Sequence, residues 1–135
     1  PRLRGVVHAG ALPLVIAAGI VMIALAPGAL ERVSAVTYAT GAVLLFAASS
    51  AFHLVRHDGV RRVLGRVDHA AILVLVAATY TPFILLGLDG GRRITLIAIV
   101  WAAASTGVLV RAVWASPPRW LLVVVALGLG WAAVP

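Results

Sequence analysis

The chain has no cysteine and no lysine, and only four acidic residues among 135. Without cysteine there is no disulfide framework and no thiolate metal site. Charged residues make up 11% of the chain and hydrophobic ones 63%, which excludes an ordinary soluble domain and a disordered segment. All eleven basic residues are arginines, and the formal net charge is +7. These arginines lie in short gaps between apolar runs and form no basic stripe with interleaved aromatics, which argues against nucleic-acid binding. Also missing are a Ser-His-Asp order, a phosphate-binding loop and a redox-cofactor motif. No cleavable signal peptide is evident, because the first apolar run is long and no polar domain follows it.

Long apolar runs are what the chain does have. A membrane-spanning helix needs about 20 apolar residues in a row. Five segments qualify: residues 6–26, 33–54, 68–88, 94–114 and 117–134. Their apolar residues run continuously and do not alternate, so they read as helices and not barrel strands. Pro27-Gly28, Asp89-Gly90-Gly91 and Ser116-Pro117-Pro118 punctuate the series, the last as a helix start. The expectation is an all-α polytopic transmembrane bundle, with residues 1–135 forming one transmembrane domain. It begins with Pro1 and ends in an apolar run at Pro135, so it reads as a piece truncated at both ends. Membrane lipids are its expected partners.

Arginine placement predicts an orientation. With the N-terminus inside, eight arginines (Arg2, Arg4, Arg56, Arg61, Arg62, Arg66, Arg111 and Arg119) fall on the cytoplasmic side. Only Arg32, Arg92 and Arg93 fall outside. All four histidines and Asp68 then share the cytoplasmic side.

Ionisable residues at the edge of a membrane span are costly and mark functional sites. His53 closes the second span, where it suits either a metal ligand or an interfacial histidine bonded to a loop carbonyl. Ser49 lies one turn deeper on the same helix face. It suits either a bond to its own i−4 carbonyl or the orientation of a ligand or water. Asp68 opens the predicted third span, where a carboxylate can cap the helix and accept a proton. His57 is four residues past His53, but Asp58-Gly59 reads as the helix end, so it is expected in a solvated loop. His69 points about 100° away from Asp68 on an ideal helix and is expected as a supporting partner or a cap. Thr79-Tyr80-Thr81-Pro82 reads as structural: the proline frees a carbonyl, and the threonines repair the defect. Gly41, Gly107, Gly128 and Gly130 are expected to permit close helix contact.

These blocks, in this order, resemble the hemolysin III family. They are Phe46-Ala47-Ala48-Ser49-Ser50-Ala51-Phe52-His53-Leu54, Arg66-Val67-Asp68-His69-Ala70-Ala71-Ile72 and Ala78-Thr79-Tyr80-Thr81-Pro82-Phe83. Val7-His8-Ala9-Gly10, Val100-Trp101 and Gly130-Trp131 extend the likeness over nearly the whole chain. The family is related to the progestin and adipoQ receptors and, more widely, to alkaline ceramidases. The resemblance implies seven helices, five of them present here, in a bacterial plasma membrane with a cytoplasmic N-terminus. It implies a zinc ion with His53 as one ligand and Asp68 contacting its water, and Ser49 matches the motif's serine. Two further zinc ligands are implied in an His-x3-His of a seventh helix, beyond the five spans seen here. A catalytic zinc takes three protein ligands and one open position, so this chain holds only part of the site. Zinc-dependent hydrolysis of a lipid amide is the function the likeness favours, with Asp68 and Ser49 catalytic. A pore-forming or lytic protein and a lipid sensor without turnover are the alternatives.

Overall fold

The computed structural model describes residues 2–114, together with positions 124 and 128. Four helices fill that range: α1 (Arg2–Leu25), α2 (Ala29–Leu54), α3 (Asp58–Gly87) and α4 (Gly90–Val113). Each is long and apolar enough to cross a membrane. No strand occurs among the described residues. The fold class is therefore all-α, as the continuous apolar runs require. The expected fifth span, 117–134, lies outside the described residues but for two positions.

The breaks fall where the sequence puts them. Pro27 and Gly28 separate α1 from α2, and the Arg32 side chain donates to the Ala26 carbonyl across that turn (3.3 Å). Between α3 and α4 the chain reverses at Gly90, whose φ of +58° is a left-handed value that favours glycine. Asp89 accepts from Arg93 at 2.8 Å on the first turn of α4.

One boundary differs from the expectation. The third helix starts at Asp58, ten residues before Asp68, so Arg61, Arg62 and Arg66 are helical and not in a loop. Arginine is a good helix former, and Val60, Val63, Leu64 and Val67 recur at helical spacing. A gap in hydropathy is not a gap in the helix. Asp68 consequently lies inside α3 and does not cap it; His57 occupies the N-cap position and makes no side-chain cap bond.

The helices pack mainly on their sequence neighbours, α1 on α2, α2 on α3 and α3 on α4. Short turns make each pair antiparallel. Small residues fill the contacts: Ala39, Ala42, Ala48, Ala71, Ala77, Ala78 and Ala104 are buried, with Leu73 and Val100 the largest fully buried side chains. Large apolar residues such as Leu14, Ile20, Phe83, Ile94 and Leu109 face outward. That is the arrangement of a bundle whose solvent is lipid, where close packing of small residues replaces hydrophobic collapse. Gly41 serves it directly, since a Cβ there would lie 2.7 Å from the Ala78 Cβ; one at Gly107 would lie 2.6 Å from Leu73 Cδ1. Gly128 has no described neighbour within 4 Å, and Gly130 is outside the described residues.

The Thr79–Pro82 segment is structural in a different way from the one expected. Pro82 deprives the Ala78 carbonyl of its helical donor, yet the threonine hydroxyls donate elsewhere, Thr79 to Leu75 O and Thr81 to Ala77 O, each at 2.8 Å. Thr81 Oγ1 also accepts from Trp101 Nε1 at 3.1 Å, which ties α3 to α4.

Candidate functional site

Two glycines bring α1 against α2. A Cβ at Gly5 would sit 2.7 Å from the His53 Cβ, and one at Gly19 would sit 2.9 Å from the Ala39 Cβ. This close approach lets His8 reach across from α1. Its Nδ1 is hydrogen-bonded to Ser49 Oγ at 2.7 Å, and its ring lies against Phe46 with centroids 5.1 Å apart. Ser49 is 4% exposed. Its neighbour Ser50 follows the expected habit of a membrane-helix serine and donates to the carbonyl of Phe46 (2.6 Å). Ser49 does not; its partner is the histidine of another helix.

One turn on from Ser49, His53 is held between Gly5 and the Phe52 ring, whose centroid is 4.8 Å from its own. His53 Nδ1 is buried and has no hydrogen-bond partner among the described residues. A buried polar atom without a partner costs free energy and so calls for an explanation by function.

Asp68 reaches the same end of the bundle by register. Gly41 packs on Leu75 and Ala78, and Gly65 packs on Phe52, which fixes how antiparallel α2 and α3 are aligned. Eight residues along α2 from Gly41 is Ser49, and seven residues back along α3 from Leu75 is Asp68. Equal rise per residue puts the two at nearly the same depth. Asp68 is half-buried there. His69, next to it, bonds its Nδ1 to the Gly65 carbonyl at 2.5 Å. Since a carbonyl only accepts, Nδ1 carries the proton, and the ring is anchored to its own helix.

The structure thus joins Ser49 to a residue not singled out from spacing, His8. The hint was available: His8 is an ionisable residue inside an apolar run. Arg111, near the end of α4, is likewise not among the residues that spacing singles out, and its Nε is buried without a partner among the described residues. His57 is exposed on the α2–α3 turn, as expected, and shares no helix with His53, because α2 ends at Leu54.

Among the described residues no three His, Cys, Asp or Glu side chains converge as a metal site would require. His53 Nδ1 is buried and unpaired among the described residues, and in the tautomer protonated at Nε2 it has a free lone pair for a metal, but a single imidazole does not make the three-ligand set of a catalytic zinc.

A row of antiparallel apolar helices, small inside and large outside, with its charged side chains near the helix ends, defines a multi-pass helical membrane protein. The chain belongs to the family described as haemolysin-III related, whose model matches residues 1–135. It is similar to "Hemolysin-3 homolog" of Bacillus subtilis (strain 168), 35% identical over 101 residues, which are 75% of this chain and 47% of that protein. It is also similar to "Hemolysin-3" of Bacillus cereus, 39% identical over 72 residues, 53% of this chain and 33% of that one. The chain therefore spans about half the length of the first of these relatives, or less. No solved structure matches it.

Proposed function

We propose that the polar cluster of His8, Ser49, His53 and Asp68 is part of a hydrolytic site for a membrane lipid, the bond attacked being an amide. The supporting observation is the partly buried His8–Ser49 hydrogen bond one turn from His53 Nδ1, which is buried and unpaired among the described residues. Three polar groups held in an apolar wall are expensive, and substrate chemistry is a sufficient reason to keep them. In this reading Ser49, fixed by His8, orients the reacting water or carbonyl. Asp68, at the same depth, accepts the proton of the attacking water. His53 offers Nδ1 as a ligand.

Zinc belongs to this reading only with ligands from outside residues 2–114, because the described side chains supply too few. The family likeness suggests those ligands lie in a later helix. The N-terminus is read as cytoplasmic from the eight-to-three division of arginines, which would make this a cytoplasmic-face site of a bacterial plasma membrane.

The test is turnover by the full-length protein in vesicles that carry a fatty-acyl sphingolipid. Asp68→Asn should abolish product formation while leaving the metal content unchanged. Full turnover in that variant would remove Asp68 from the mechanism. Dye release from the vesicles without any turnover would favour a lytic protein, and saturable lipid binding with neither would favour a sensor.

A further inference from the structure

The N-terminal end of α3 carries charges of the wrong sign for a helix start. A helix N-terminus is the positive end of its dipole, and acidic residues or bound anions are favoured there. Here Arg61 and Arg62 follow within two turns, Arg66 comes one turn later, and Arg56 stands just before. Asp58 is the only acidic residue in the first turn, and the His57 side chain leaves the first backbone N–H groups uncapped. Local electrostatics alone would not assemble this.

The same residues form a cleft. Asp58, Arg61, Arg62 and Gly65 recur at i, i+3, i+4 and i+7, one stripe of α3, and together with Phe52 of α2 they line a cavity of about 370 Å³. Gly65 and the Phe52 ring make an apolar floor, since a Cβ at Gly65 would be 3.0 Å from Phe52 Cε2. The Arg61 guanidinium stands over that ring, 5.6 Å from its centroid. Arg61 and Arg62 make the rim cationic, and among the described lining residues Asp58 is the one opposing charge.

Depth identifies the occupant. The 30 residues of α3 extend about 45 Å, against a hydrocarbon core of about 30 Å. Its apolar run is the part from Asp68 onward, so residues 58–67 stand at the level of the lipid headgroups. A free anion would have no use for the apolar floor. A headgroup with its glycerol and acyl start would use both floor and rim.

We propose that this cleft binds the phosphate of an anionic phospholipid. The phosphate sits between Arg61 and Arg62 at the uncapped α3 N-terminus, and the glycerol lies on Phe52 and Gly65. The cleft shares Phe52 with the polar cluster, where that ring lies 4.8 Å from His53, but it uses none of His8, Ser49, His53 or Asp68 and does not depend on a hydrolytic role for them.

The experiment titrates full-length protein in neutral detergent with phosphatidylglycerol, phosphatidylcholine or inorganic phosphate, and reads bound lipid and the unfolding midpoint. Phosphatidylglycerol should bind saturably and raise the midpoint, with the other two far weaker. Arg62→Gln should weaken it about fivefold and Arg61→Gln/Arg62→Gln about thirtyfold, while Arg92→Gln at the opposite end leaves it unchanged. Arg62 is exposed, so the single variant decides the matter where the double one does not fold. Equal binding of the two lipids, equal protection by inorganic phosphate, or an equal loss in Arg92→Gln would overturn the proposal.

Discussion

His8 Nδ1 and Ser49 Oγ lie 2.7 Å apart, joining α1 to α2 across a separation of 41 positions in the sequence. Nothing in either helix alone requires the pair. It exists because Gly5 and Gly19 let the two helices approach, and it leaves Ser49 satisfied without recourse to its own backbone.

Breaking that bond should be measurable as a coupling. Each single variant, His8→Ala and Ser49→Ala, should destabilise the protein. The double variant should cost less than their sum by about 0.5–2 kcal/mol, the range for interhelical hydrogen bonds in membranes. Denaturant unfolding in detergent micelles reads the cycle. Strict additivity would mean that the bond carries no stability.

Close contact at Gly41 should tolerate no side chain. The Cβ of Gly41→Ile would meet Ala78 at 2.7 Å and force α2 from α3. Overpacking of this kind costs about 1–3 kcal/mol. Gly87→Ala, with nothing within 4 Å of its Cβ, should lower the thermal midpoint far less.

Thr81→Val should loosen α4. The substitution keeps the shape but leaves Trp101 Nε1 without its acceptor, a cost of about 1 kcal/mol. The protein's tryptophan emission should shift through Trp101, one of its four tryptophans, and Thr79→Val, whose hydroxyl bonds only its own helix, serves as the comparison.

The proposed reading makes His53 a zinc ligand. On that reading the full-length protein should lose bound zinc on His53→Ala and keep it on His57→Ala, as measured by equilibrium dialysis and elemental analysis. His57 is exposed and lies off the α2 helix that carries His53. Zinc retained at full stoichiometry in His53→Ala would remove His53 from the ligand set.

Much of the architecture was legible because membrane helices announce themselves by length and hydropathy. The breaks at Pro27-Gly28 and Asp89-Gly90 read correctly, and so did the shared face of Ser49 and His53. The start of α3 did not, since a run of arginines lowers hydropathy without lowering helix propensity; of the two roles open to Asp68 this removes the cap and leaves the proton acceptor untouched. His8 was visible as an ionisable residue, but its partner was not, because spacing within one helix carries no information about the register between two. The threonines beside Pro82 show the same limit: one of them serves Trp101 of α4, twenty residues away.

By itself the sequence determined that the described part of this chain is a series of apolar helices with its charge gathered in short gaps, because backbone groups in lipid must satisfy one another within each segment. Its ordered blocks also determined the family. The tertiary structure decided which polar groups meet. Glycine and alanine contacts set the heights of α1, α2 and α3 against each other, and those heights bring His8 to Ser49 and Asp68 to the same depth, where side chains far apart in the chain can act on one molecule.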